Sequence, residues 1–154
     1  IHISNERLND FLGKIDLLGL NESEARLFTE NNNLILAGEA LLAKGPKYVV
    51  IKLGEFGAIL FGPDKSIHRF HAWPLREIVD PTGAGDTFLG AMAGYLSSRE
   101  DVKGVDFTIE QIKAGIIRGS VLASFTCEGF STRALEKVTE GDIKRRLSAL
   151  EIMG

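Results

Sequence analysis

The reading of this chain turns on Asp80-Pro81-Thr82-Gly83-Ala84-Gly85-Asp86-Thr87-Phe88. An apolar run, Glu77-Ile78-Val79, precedes it and predicts a strand; a small-residue run, Leu89 to Leu96, follows and predicts a helix. Gly83 and Gly85 free the backbone for a tight turn that points successive N–H groups at one spot, just before the helix starts. Unpaired N–H groups and the positive end of a helix dipole make such a place an anion site. Asp86 adds a carboxylate in the first helical turn, where a lone Asp would read as a helix cap. Two rival loops fail on the residues. A dinucleotide fingerprint needs a third glycine where Phe88 stands, and no glycine-lysine-hydroxyl run of a P-loop occurs in the chain.

On either side of this stretch, strands and helices alternate. Ser4 to Gly13 predicts a helix capped by Ser4 or Asn5, with Leu8, Phe11 and Leu12 on one face. Lys14 to Leu20 predicts a short buried strand. Asn21-Glu22-Ser23-Glu24 then opens a helix; Asn21 has the position of an N-cap and Glu24 that of its capping-box partner. Leu34 to Lys44 predicts a helix with Leu34, Leu41 and Leu42 inward, closed by Gly45-Pro46. Tyr48 to Leu53 is a buried strand, and Gly54-Glu55-Phe56-Gly57 turns it into Ala58 to Phe61 as an antiparallel hairpin. Ile67 to Trp73 alternates as a half-exposed strand, with His68 and His71 on its edge.

Beyond the central stretch, Phe88, Leu89, Met92 and Leu96 share a helical face, with Gly90, Ala91, Ala93 and Gly94 allowing close packing. Ser98 to Gly104 is a polar connection. Thr108 caps a long helix to about Phe125, in which Gly119 to Ser124 would let a flat ring rest. Thr139 starts a last helix with Ile143, Leu147 and Leu150 inward, and its Lys144-Arg145-Arg146 run predicts a solvated face. This order predicts an α/β fold: a three-layer sandwich with a mainly parallel sheet and a β-hairpin excursion. Ligands on such sheets sit beyond the C-terminal strand ends. Asn21, Gly54 and Asp80 each follow a predicted strand, so the three clusters are expected on one edge.

Composition narrows the function classes. At 154 residues the chain has the size of one domain able to bury a core. Its net charge of −3 offers no basic footprint, so neither nucleic acid nor a membrane surface is an expected partner. The apolar runs are too short to span a bilayer, and none has the pattern of a secretory signal. The single cysteine, Cys127, excludes an internal disulfide and a cysteine-built metal site, which makes a reducing, cytoplasmic setting the default. His2, His68 and His71 have no metal-ligand spacing.

The nine-residue stretch closely resembles the second signature of the ribokinase-like (PfkB) carbohydrate kinases. The resemblance implies ATP-dependent phosphoryl transfer to a hydroxyl of a sugar or nucleoside. Asp86 would be the base that takes the acceptor's proton, and the Gly83-Ala84-Gly85 turn the anion hole for the transferred group. Asn21 and Glu24 resemble the family's Asn-x-x-Glu motif, which helps hold Mg²⁺ through water together with the nucleotide phosphates. Gly54 would approach the nucleotide with its backbone, and the region around Gly119 to Ser124 would face the adenine. Asp80 and the carbonyl of Thr82, with carbonyls of residues 126–131, would form a cage for K⁺. The cofactors implied are ATP and Mg²⁺, with K⁺ as a further cation.

The chain starts Ile1-His2-Ile3-Ser4 without methionine and matches only the C-terminal half of such a kinase. Residues 1–154 are therefore expected to form one α/β domain holding the nucleotide-binding and catalytic half, with the N-terminal acceptor and lid part absent. The alternative is a non-catalytic nucleotide-binding fragment without an acceptor pocket. Sheet edges left open by a missing half would favour self-association, such as a homodimer.

Overall fold

The computed structural model describes residues 5–98, 106–131 and 133–153. The expectations for Ser4, for the side chain of Leu8 and for most of the 98–104 connection fall outside the described residues. The chain divides into two compact units, Ile1–Leu53 with Ala58–Arg69, and Gly54–Gly57 with Phe70–Gly154.

The first unit opens with α1 (Asn5–Leu12), in which Leu12 is buried. Phe11, expected beside it, is 56% exposed, because neighbours on a helix point about 100° apart and the buried stripe here is narrow. β1 (Leu17–Asn21) leads straight into α2 (Glu22–Thr29). α3 (Leu34–Leu42) begins at Asn33, whose side chain accepts the N–H groups of Ile35 and Leu36. Then come β2 (Tyr48–Lys52), β3 (Ala58–Phe61) and β4 (Ile67–Phe70), while the 3-10 turn Gly54–Phe56 between β2 and β3 belongs to the second unit.

The strands form one sheet in the order β1-β2-β3-β4. β1 runs parallel to β2, with Leu17 opposite Tyr48 and Asn21 opposite Lys52. β2 runs antiparallel to β3, with Val49 opposite Phe61 and Lys52 opposite Ala58. The α/β fold and the hairpin excursion are thus present, in a mixed sheet. Side chains alternate along a strand, so Val49 and Ile51 join Ile59 and Phe61 on one face, in a cluster with Leu20, Ala25 and Leu41. α3 comes close because Gly38 has no Cβ; one there would run into the Phe61 ring. Val50 and Leu60, on the opposite face, are fully buried as well, which is why β2 and β3 read as unbroken apolar runs.

The second unit is built on α4 (Ala84–Ser97), α5 (Ile109–Thr126) and α6 (Glu140–Met153). Thr108 and Gln111 close a reciprocal capping box at the start of α5. Phe88, Met92 and Leu96, at spacings of four, are the buried face of α4. The close approach of α4 and α5 does not use Gly90 or Gly94, around which a Cβ would find open space. It uses Gly115 and Gly119 of α5 instead: a Cβ on Gly115 would lie 3.0 Å from Met92 Cγ, and one on Gly119 would lie 2.7 Å from the Phe88 carbonyl oxygen. The Phe88 ring packs against Gly119. α6 adds Leu150 to a core with Val121 and Phe125, with Ile143 and Leu147 packed against it.

Two predicted strands are cut back. The Ile67–Trp73 strand ends at Phe70, since the next carbonyl, that of His71, accepts the Ser120 hydroxyl of α5 at 3.4 Å. Glu77-Ile78-Val79 is not a strand. Its Val79 N–H donates to the Cys127 carbonyl at 2.8 Å, and Ile78 and Val79 are exposed. Among the described residues, no helix is long and apolar enough to cross a membrane.

Candidate active site

The central stretch is held by local hydrogen bonds. Asp80 Oδ1 accepts the Thr82 N–H at 2.9 Å, and the Ala84 N–H donates to the Pro81 carbonyl at 3.1 Å. In the second of these turns Gly83 holds φ 82° and ψ −5°, the third position of a type II turn, where a side chain is disfavoured. A Cβ there would meet nothing, so the demand for glycine is one of conformation and not of space. Gly83 is also the N-cap of α4, and its carbonyl accepts the Thr87 N–H at 2.9 Å. Gly85 lies inside α4 and is not among the glycines at positive φ, so the turn rests on one glycine and not two. Among the described residues, the N–H groups of Gly83 and Asp86 have no protein acceptor.

Asp86 is exposed in the first turn of α4, and Gly83, Ala84 and Gly85 surround it in the same turn and a half of backbone. The Asp80 carboxyl is held below its ordinary value by hydrogen bonds from Thr82, hydroxyl first and backbone N–H second. It therefore stays ionised over a wide pH range. The Cys127 carbonyl also accepts the Asp80 N–H at 3.4 Å, which brings the Asp80–Thr82 turn to the end of α5, where the 126–131 segment starts. Cys127 itself is half-buried, and burial, followed by the carboxylates of Glu128 and Asp80, pushes its thiol above the ordinary value. That suits a packing residue and not a nucleophile.

Asn21 and Glu24 make a second cluster, in the first unit. The Glu24 N–H donates to Asn21 Oδ1 and the Asn21 N–H donates to Glu24 Oε2, both at 2.8 Å. The capping box is real, and it pins one oxygen of an exposed carboxylate while leaving the other without a hydrogen bond among the described residues. Gly54 belongs to the second unit; it sits at φ 59° with open space around it and accepts the Gly57 N–H at 3.1 Å.

Two groups escaped the sequence reading. Buried Thr126 donates its hydroxyl to Thr87, next to Asp86, at 3.0 Å. Nothing local in the sequence links residues so far apart. Arg146, expected in solvent, has a side chain only 14% exposed, whereas Lys144 and Arg145 are 72% and 77% exposed. Helical spacing does carry a signal for it: position 146 lies three residues from Ile143 and four from Leu150, on the buried face of α6.

The donor sets fit the groups expected of them. A turn ending in unpaired N–H groups at a helix start suits a phosphate. Among the described residues, no three His, Cys, Asp or Glu side chains gather into a metal cage; an exposed carboxylate such as Glu24 with retained waters suits Mg²⁺.

The pfkB family carbohydrate kinase profile matches residues 3–137. A cytidine kinase from Thermococcus kodakarensis is 38% identical over 95 residues, covering 60% of this chain and 34% of that kinase. The solved structure of aminoimidazole riboside kinase from Salmonella enterica, complexed with aminoimidazole riboside and an ATP analog, superposes with a TM-score of 0.78 at 21% identity, over 94% of this chain and 46% of that one. A fructokinase double mutant from Vibrio cholerae, in its fructose, ADP and potassium ion bound form, superposes with a TM-score of 0.80 at 20% identity, over 93% of this chain and 44% of that one. The chain thus spans less than half the length of these proteins. Its α/β fold is the ribokinase-like one, and the chain belongs to the pfkB family of carbohydrate kinases.

Proposed function

We propose that residues 1–154 are the C-terminal, nucleotide-binding and catalytic half of a sugar or nucleoside kinase that moves the γ-phosphoryl group of ATP to a hydroxyl of its acceptor. The observation that carries this reading is the type II turn at Gly83, which ends in unpaired N–H groups and sets Asp86 exposed in the first turn of α4. The names of the relatives support the acceptor class: cytidine, a riboside and fructose all present a sugar hydroxyl.

Phosphoryl transfer passes through a loose transition state, so positioning and charge stabilisation do most of the work. In this reading the N–H groups of Gly83 and Asp86, at the Gly83-Ala84-Gly85 turn, stabilise the equatorial oxygens as charge redistributes onto them. Asp86 orients the acceptor hydroxyl and takes its proton late, when that oxygen has become acidic. Asn21 holds Glu24 in place, and Glu24 would hold Mg²⁺ through water. Mg²⁺, when bound, neutralises phosphate charge. Asp80 and the Thr82 carbonyl, beside residues 126–131, are assigned to K⁺, and the Gly54 backbone to the nucleotide. We place the enzyme in the cytoplasm; β1 and β4, which end the sheet, are the edges along which two copies could pair.

The test is calorimetric titration of the chain and its Glu24→Gln variant with a non-hydrolysable ATP analogue, with and without Mg²⁺. Glutamine at this helix position still closes a capping box, so the variant removes the charge and keeps the helix. Mg²⁺-dependent binding that weakens in the variant is the expected result. A folded chain that binds no nucleotide under either condition overturns the reading.

A further inference from the structure

Arg146 of α6 is a charged group almost out of water, and both terminal nitrogens of its guanidinium donate hydrogen bonds. Nη2 donates to both carboxylate oxygens of Glu128 at 2.8 Å, and Nη1 donates to the Ser124 hydroxyl at 2.6 Å. The Ser124 hydroxyl in turn donates to the Val121 carbonyl at 2.6 Å. The guanidinium carbon lies 3.7 Å from the centroid of the Phe125 ring and 5.1 Å from that of Trp73. A charged pair in which one nitrogen meets both carboxylate oxygens, with the guanidinium set over aromatic rings, restricts direction as well as distance. Its anchor points, Ser124, Phe125 and Glu128, bracket the last turn of α5.

That same turn grips the Asp80–Asp86 loop on both flanks. Ahead of the loop, the Cys127 carbonyl accepts the Val79 N–H at 2.8 Å and the Asp80 N–H at 3.4 Å. Behind it, the Thr126 hydroxyl donates to the Thr87 hydroxyl at 3.0 Å. Helix ends fray at little cost unless side chains hold them. Here the holding side chain comes from another helix, and the segment it holds supplies both clasps.

We propose that Arg146 is a positioning residue for the Asp80–Asp86 loop, acting through Glu128 and Ser124 on the α5 turn that clasps it. The proposal rests on the phosphoryl-transfer reading only for what the loop does, and not for how it is held. Without the guanidinium, the Glu128 carboxylate loses its partner, the 126–128 backbone opens more often, and Val79 and Thr87 lose their anchors together.

Hydrogen exchange in the folded chain tests this, with the Val79 amide as reporter of the clasp and the Ile116 amide as reporter of the α5 core, in wild type, Arg146→Met, Arg146→Lys and Glu128→Gln. Arg146→Met is expected to speed Val79 exchange by about tenfold or more while Ile116 stays as it was. Glu128→Gln, which keeps the aromatic stack, should give a smaller change in the same direction, and Arg146→Lys should restore part of the protection. In an active kinase containing the chain, kcat should fall by about tenfold with the KM for ATP within about twofold of wild type.

Unchanged Val79 exchange overturns the proposal, and so does equal acceleration at Ile116, which would make Arg146 a general support of the fold. Faster Val79 exchange with unchanged kcat overturns the positioning role as well. Faster Val79 exchange in a chain whose wild type binds no ATP analogue leaves the clasp standing and removes the phosphoryl-transfer reading instead. Should Arg146→Met fail to fold, Arg146→Lys and Glu128→Gln carry the same comparison.

Discussion

Asp86 can be tested by one substitution, because the N-cap of α4 is Gly83 and the Asp86 side chain makes no capping hydrogen bond that the change would remove. Asp86→Asn keeps the size and the hydrogen-bonding oxygen and removes only the ability to accept a proton as a carboxylate. The expected result is an unchanged melting temperature and a kcat lower by about 10²–10⁴-fold, the span ordinary for a lost general base. Steady-state kinetics on an active kinase carrying the chain, beside nucleotide titration, checks both halves. Binding of the ATP analogue should hold steady or tighten slightly, since a negative charge leaves the helix start where phosphate is placed. Comparable turnover by the variant would leave Asp86 as a first-turn carboxylate that only complements the helix dipole. Gly83 is demanding for a different reason: its φ of 82° is a backbone requirement, with open space where a Cβ would go.

Among the elements, the contact of α4 with α5 sets a backbone atom against a helical glycine. A methyl group on Gly119 would press on the Phe88 carbonyl oxygen, a backbone atom that moves only if the helices part. Gly119→Ala is expected to destabilise the fold by about 1–3 kcal/mol, as overpacking does. Gly115→Ala meets Met92 Cγ, on a flexible side chain, and gains about 1 kcal/mol of helix propensity. Its net effect should be close to zero. Denaturant titration of the two variants checks the contrast, and equal costs would show that the backbone contact at Gly119 is not limiting. The same closeness sets Thr126 against Thr87, so damage at Gly119 should also reach the loop that carries Asp86.

For the molecule as a whole, the response to acid follows from its depressed carboxyls. Asp142 accepts the Thr139 hydroxyl at 2.6 Å and its N–H at 3.1 Å, and those bonds, with the nearby Arg145, hold its carboxyl below the ordinary 3.8. A carboxyl lowered on folding contributes stability that is fully present above the ordinary value and is lost as pH falls through the lowered one. Asp80 acts with the same sign. The chain should therefore lose stability progressively below about pH 4. Asp142→Asn resembles the protonated state, so its melting temperature should lie below wild type at neutral pH and approach it as acid is added. Thermal melts at a series of pH values check this; a constant gap between the two chains would rule out the linkage.

Much of the fold was legible because its signals are local. The capping box of Asn21 and Glu24, the cap at Thr108 and the turn at Gly83 each involve partners within three or four residues, so spacing is enough to read them. The β2–β3 hairpin announced itself through two glycines between apolar runs, and the motif around Asp86 pointed to the family. Other features depend on partners far along the chain. Glu77-Ile78-Val79 has the composition of a strand, yet its hydrogen bond goes to Cys127, and no spacing rule reports that. Gly90 and Gly94 have the look of close-packing residues, yet the mutual rotation of the two helices uses Gly115 and Gly119 instead. Arg146 carried the charge of a solvated residue and became the tie between α6 and the end of α5, because Glu128, Ser124 and two aromatic rings converge on it there. Short-range hydrogen bonding and periodicity are written in the order of the residues; which distant group meets which is settled only when the helices pack.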